Sequence, residues 1–155
     1  MTNLKNFIKC FTNILDNNTC EDIINTYDPK KFNRSLVGND YEISDARKVY
    51  ENFLDPKFEN IIFEKVGDIL NSYANQFKWF RTSKLEDSGY KHLYYKGSDK
   101  GEFKMHVDNL YLHPRVLSIS LILNDNYDGG DFIFFDEKYK IEKKKNRHHL
   151  KEIAT

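Results

Sequence analysis

Apolar residues recur at helical spacing over one long stretch. Phe58, Ile61, Ile62, Val66, Ile69, Leu70, Tyr73 and Phe77 follow one another at steps close to a helical turn, and Asp55-Pro56 offers an N-cap and then a proline for the first helical position. The pattern predicts a helix over 56–77 whose apolar stripe backs a sheet. Downstream the period drops to two, and strands are expected at 90–96, 102–108, 115–124, 131–136 and 138–143. Asn124-Asp125-Asn126-Tyr127-Asp128-Gly129-Gly130 reads as a turn, and Asp136-Glu137-Lys138 closes a tight hairpin. Upstream, 6–15 reads as a strand. Residues 19–22 form a capping-box-like helix start, Ile23, Ile24 and Tyr27 give that helix its apolar side, and Asp28-Pro29 ends it. Residues 31–54 have weak periodicity and turn formers at Gly38-Asn39-Asp40, and their elements are not legible from the pattern. A helical half followed by consecutive strands argues for an α+β fold.

Composition narrows the classes. With 155 residues the chain is one domain, long enough for a sizeable core. A formal net charge of zero supplies no electrostatic pull toward nucleic acid or an anionic membrane. Lys143-Lys144-Lys145 reads as solvated surface. No apolar run approaches the ~18 residues of a membrane span, and the lysine-punctuated N-terminus lacks the apolar region of a signal peptide, so a cytoplasmic location is expected. Cys10 and Cys20 then read as reduced core residues. Aromatic content of 15% in a chain of mean hydropathy −0.72 suits a sheet core filled by large rings.

Candidate chemistry gathers in 101–135, around His106-Val107-Asp108. Residues i and i+2 of a strand share a face, so His106 and Asp108 can offer an imidazole nitrogen and a carboxylate oxygen to one cation. These are two members of a 2-His-1-carboxylate site, which leaves coordination positions open on Fe(II). An ion pair on a strand face would use the same two residues. Alternation along 115–124 separates Leu117, Ile119, Leu121 and Leu123 from Val116, Ser118, Ser120, Ile122 and Asn124, and the second set mixes polar with apolar groups as a pocket wall does. Gly129 and Gly130 would permit positive φ at a tight turn. His92, His113 and Asp131 have no metal-ligand spacing.

The order of these signals carries more than any one of them. FIKCFTNILDNNTCEDII, a long helix, Tyr95-Lys96-Gly97, His106-Val107-Asp108-Asn109, Arg115 before VLSISLILND, and Gly129-Gly130-Asp131-Phe132 leading into Phe134 make up that order. From about 7 to 142 the chain resembles the prolyl 4-hydroxylase-like branch of the Fe(II)/2-oxoglutarate dioxygenases. The resemblance implies a double-stranded β-helix (jelly roll) with N-terminal supporting helices, and Fe(II) on His106 and Asp108. It implies 2-oxoglutarate held by Tyr95 and Ser118, ascorbate as reductant, and hydroxylation of a C–H bond in a protein, prolyl or small-molecule substrate met by 31–54 and 97–101. Arg115 would be a substrate-side or loop-anchoring residue.

The departure is at the end. The family's second metal-binding His, about thirty residues past the Gly pair in an apolar-apolar-Phe-Pro-Ser strand, and a basic residue about ten further on, have no counterpart before Thr155. On this reading 1–89 is helical support and an outer strand, 90–143 is a β-helix core lacking its C-terminal strands, and 144–155 is a tail. That tail, with His148 and His149 in a lysine-rich stretch of helical character, is expected to form no regular strand. Open sheet edges would then invite self-association. Three readings stay open: a dioxygenase, an inactive remnant or binding module of the same fold, and another jelly-roll metalloenzyme.

Overall fold

The structure is a computed structural model that describes residues 4–38, 41–82, 84–108, 115–135, 137–141 and 147–152, the last stretch as backbone. The chain runs β1 (Ile8–Thr12), α1 (Asn17–Ile24), β2 (Asn33–Arg34), β3 (Leu36–Val37), β4 (Glu42–Ile43), β5 (Tyr50–Phe53), α2 (Pro56–Gln76), β6 (Lys91–Tyr94), β7 (Leu117–Leu121), β8 (Phe132–Phe134), β9 (Tyr139–Ile141) and β10 (Arg147–Glu152). It is an α+β fold in which the described strands pair antiparallel. Two three-stranded sheets have the orders β1-β10-β7 and β2-β5-β6, and β3-β4 and β8-β9 are separate pairs.

The long helix forms where its periodicity places it. Asp55 caps it by accepting from the Lys57 amide at 3.1 Å, and Pro56 opens its first turn, where a missing N–H costs nothing. Phe58, Ile62, Val66, Ile69 and Tyr73 are buried along one stripe. They pack with Leu15, Cys20, Ile23 and Leu54 on one side and with Ile119 and Leu121 of β7 on the other. The Tyr73 hydroxyl donates to the Phe7 carbonyl at 3.0 Å, so a large ring enters the core without an unsatisfied polar tip. α2 therefore backs the sheet containing β7, and the alternate β7 residues Ser118 and Ser120 are left to the opposite face.

Four expectations change. α1 begins at Asn17 rather than Thr19, because Asp16 is the cap and accepts from both the amide and the hydroxyl of Thr19, each at 2.8 Å. Residues 102–108 do not form a strand. Their only rung is an isolated bridge between Phe103 and Arg47, flanked by Lys48 N–H to Glu102 O at 2.7 Å and Lys104 N–H to Ala46 O at 2.8 Å. The two-residue alternation beyond Lys104 has no partner strand among the described residues, and alternation without a ladder does not hold a strand. Cys20 is fully buried as expected, whereas Cys10 is exposed; neither forms a disulfide.

The fourth change is the largest. Far from a helical tail, 147–152 is β10, paired on both edges: Ile8 to Thr12 of β1 oppose Lys151 to Arg147, and Leu117 to Leu121 of β7 oppose Glu152 to His148. Its sequence, RHHLKE, has little intrinsic strand preference. A central strand satisfies backbone groups on two edges at once and removes the cost of leaving them unpaired on β1 and β7, which outweighs propensity. The C-terminal stretch thus supplies a strand that the local pattern does not announce.

His92, on β6, is buried at 8% exposure, edge-on to Phe32 at 5.0 Å and opposite Asn52 of β5. Burial disfavours the imidazolium and lowers its pKa. The unfolded chain takes up this proton near pH 6.5 and the folded chain only at lower pH, so stability is complete above about pH 6.5 and is lost as the pH falls below it. Thermal midpoints between pH 7.5 and 5.5 should fall less in His92→Gln than in the parent. Equal slopes would show that His92 does not drive the loss.

Candidate functional site

The loop after the Phe103 bridge brings His106 and Asp108 together without a strand. His106 Nδ1 lies 2.7 Å from the Lys104 carbonyl oxygen and Nε2 lies 3.0 Å from Asp108 Oδ1. A carbonyl only accepts, so Nδ1 carries a hydrogen and donates it. In a neutral imidazole Nε2 then presents a lone pair to a carboxylate oxygen. Two acceptors at 3.0 Å are a stable pair only with a proton or a cation between them. The second carboxylate oxygen is also engaged, since Ser118 Oγ donates to Asp108 Oδ2 at 2.8 Å. Ser118 comes from the β7 face turned away from α2, the wall assigned to a pocket by the sequence alternation. The Asp108 side chain is 12% exposed and that of His106 34%, leaving the imidazole reachable from solvent.

A second group of residues supports the first. The rings of Phe103 and His106 stack at 3.6 Å with 14° between planes, and the Arg47 guanidinium lies 4.8 Å from the Phe103 centroid. Arg47 donates to Glu51 Oε2 at 2.9 Å and to the Leu36 carbonyl at 3.3 Å. Glu51 also accepts from Ser35 Oγ at 2.6 Å and pairs with Lys91. Desolvation works against the Glu51 anion, but Lys91, Ser35 and Arg47 more than reverse it and hold its pKa below the usual carboxylate range. Arg47, Glu51 and Ser35 escape sequence reasoning, because the weak periodicity of 31–54 does not place them; the aromatic three residues before His106 is the one local signal for Phe103.

Tyr95 lies just past β6 and is 45% exposed; partial desolvation of its phenol raises the pKa, with Glu51 and Tyr127 adding to the effect and Arg47 opposing it. The phenol therefore stays protonated, a hydrogen-bond donor at neutral pH. Tyr94, its neighbour, turns the other way and packs on Tyr27 at 4.3 Å. Gly129 and Gly130 both have positive φ, and a Cβ on Gly130 would come within 2.7 Å of the Tyr127 ring, so the turn requires glycine there. Arg115 is exposed and His92 is a core residue, whereas His113 lies outside the described residues.

Among the described residues no third His, Cys, Asp or Glu joins His106 and Asp108 in a metal-sized group. β10 pairs with the strand that carries Ser118, with His149 opposite Ser120 and Lys151 opposite Ser118. Two clefts open elsewhere: one of about 260 Å³ between Leu70, Tyr73, Phe80 and Leu117, the other of about 320 Å³ near Phe32, Phe53 and Pro56. Neither is lined by His106 or Asp108. Comparison with known proteins found no matching family model, no matching curated protein and no matching solved structure.

Proposed function

We propose that this chain is an Fe(II)- and 2-oxoglutarate-dependent dioxygenase on a double-stranded β-helix, hydroxylating a C–H bond of a prolyl-containing protein or a small molecule. One observation carries the reading. His106 Nε2 and Asp108 Oδ1 converge to 3.0 Å, where a proton or a cation can lie between them, while the remaining ring nitrogen donates to a backbone carbonyl and the remaining carboxylate oxygen accepts from a serine. Metal-binding His and carboxylate ligands are commonly fixed in this way by outer hydrogen bonds. The two side chains fit a divalent cation, and the backbone register that sets His149 opposite Ser120, two residues from Ser118, makes His149 the third ligand to test.

Bound iron with its cosubstrate would supply the oxidative power that protein side chains lack. The chain's own work is placement. Lys104 O fixes the His106 tautomer, Ser118 orients Asp108, and the Tyr95 hydroxyl is offered to a cosubstrate carboxylate, with ascorbate as the reductant. Ser118 is assigned here to the metal ligand rather than to 2-oxoglutarate, because its hydroxyl already donates to Asp108. No helix is long and apolar enough to cross a membrane among the described residues. Two cysteines outside any disulfide accord with a reducing, cytoplasmic setting.

Anaerobic Fe(II) titration tests the proposal. The parent is expected to bind one equivalent and to develop a charge-transfer band with 2-oxoglutarate; His149→Ala should lose both and His148→Ala should keep both. A parent that binds no iron would favour the non-enzymatic reading, and equal behaviour of the two variants would remove β10 from the site.

A further inference from the structure

The geometry points to Phe103, clamped by Arg47, as a positioning residue that fixes the plane of the His106 ring; its purpose rests on the metal-site reading above. The contacts at Nδ1 and Nε2 hold two points of the imidazole and leave its plane free to tilt about the line that joins them. The plane needs a second constraint. Phe103 supplies one by stacking at 3.6 Å and 14°, a nearly parallel contact that a rotated His106 ring would lose. With 34% of the His106 side chain exposed, close packing on its other sides does not do this work.

Phe103 is itself held from two directions. Its backbone is pinned by the rung to Arg47 and the two flanking hydrogen bonds from 46–48, which also aim the Lys104 carbonyl at Nδ1. Its ring carries the Arg47 cation at 4.8 Å, an attraction between a positive charge and the negative ring face. Arg47 cannot swing away cheaply, because the Leu36 carbonyl and Glu51 hold its two terminal nitrogens and Glu51 is braced by Ser35 and Lys91. The chain of contacts Glu51, Arg47, Phe103, His106 therefore ties the candidate ligand to the β2-β5-β6 sheet. Asp108, through Ser118, is tied to the β1-β10-β7 sheet. Each ligand of the pair is mounted on a different sheet, so their separation reports how the two sheets are held.

The test uses the full chain. In metal-free protein, NMR of the His106 ring protons, assigned by their loss in His106→Gln, should show an upfield shift from the Phe103 ring current that disappears in Phe103→Leu and persists in Phe103→Tyr. Co(II) or anaerobic Fe(II) affinity should fall about 10- to 100-fold in Phe103→Leu, the range for loss of an outer-shell support, and be retained in Phe103→Tyr, which keeps the planar ring. Thermal midpoints of the metal-free variants identify any that fail to fold. An unshifted His106 ring in the parent would overturn the stack. A shifted ring with unchanged metal affinity in Phe103→Leu would overturn the positioning role. A shifted parent ring that is lost in Phe103→Leu, in a protein that binds no metal, would uphold the constraint on His106 and sink the metal-site reading instead.

Discussion

Asp108→Asn is expected to fold as well as the parent, or better, and to lose metal affinity by more than about a hundredfold, beyond the 10- to 100-fold typical of losing an outer partner. The substitution keeps the shape. An amide oxygen can still accept from Ser118 Oγ, and the amide N–H₂ can donate to His106 Nε2, so the 3.0 Å contact is a hydrogen bond that needs neither an added proton nor a cation. What disappears is the anionic ligand. A site kept in a mutually repulsive arrangement for a cation should relax when the cation's partner is removed, the familiar conflict between stability and function. Thermal melting with and without Fe(II) or Co(II) reads both halves: the parent midpoint should rise with metal by mass action, and that of Asp108→Asn should not. The opposite pattern, a large loss of metal-free stability in Asp108→Asn with no metal response in the parent, would identify an imidazolium–carboxylate ion pair and remove the metal site.

Ile62→Ala should be the most damaging simple truncation in α2, at about 2–5 kcal/mol. Ile62 is 2% exposed in the cluster with Leu15, Cys20, Ile23, Leu54, Phe58 and Val66, contributed by α1, α2 and the segments beside them, so no single neighbour can move to fill the void. Against a total stability of about 5–15 kcal/mol this is a large fraction, and each kcal/mol lowers the midpoint by about 2–4 °C for a chain of this size. The adjacent Phe63 is 62% exposed, and Phe63→Ala should stay within about 0.5 kcal/mol. Urea unfolding of both variants checks the face assignment, which fails if the Phe63 variant loses more than the Ile62 variant.

The β10 strand also changes what is expected of the chain as a whole. An ending without a strand would leave β1 and β7 with exposed inner edges and a tendency to self-associate. With β10 seated between them, those edges are paired. The exposed Cys10 stands opposite His149 in the β1-β10 register, on the same sheet that supplies Ser118.

Local pattern in the amino-acid sequence determined the features that depend on neighbours a few residues away. The α2 stripe and its Asp55-Pro56 start, the two faces of β7, the β8-β9 pair and the positive φ of Gly129 and Gly130 all follow from periodicity, capping and turn chemistry acting locally. The meeting of His106 and Asp108 also belongs here, although a loop and not a strand brings it about. Tertiary structure alone decided the rest. β10 pairs with residues some 140 positions earlier in β1, and a strand so poor in intrinsic preference is selected only because two edges await it. Phe103 meets Arg47 across more than fifty residues, and the Glu51 network joins Ser35, Arg47 and Glu51, from a region of weak periodicity, to Lys91 of β6. Periodicity reports which side of an element is buried; it carries no information about register between distant segments, because register is set by the simultaneous satisfaction of backbone and charged groups that only the folded chain brings within reach.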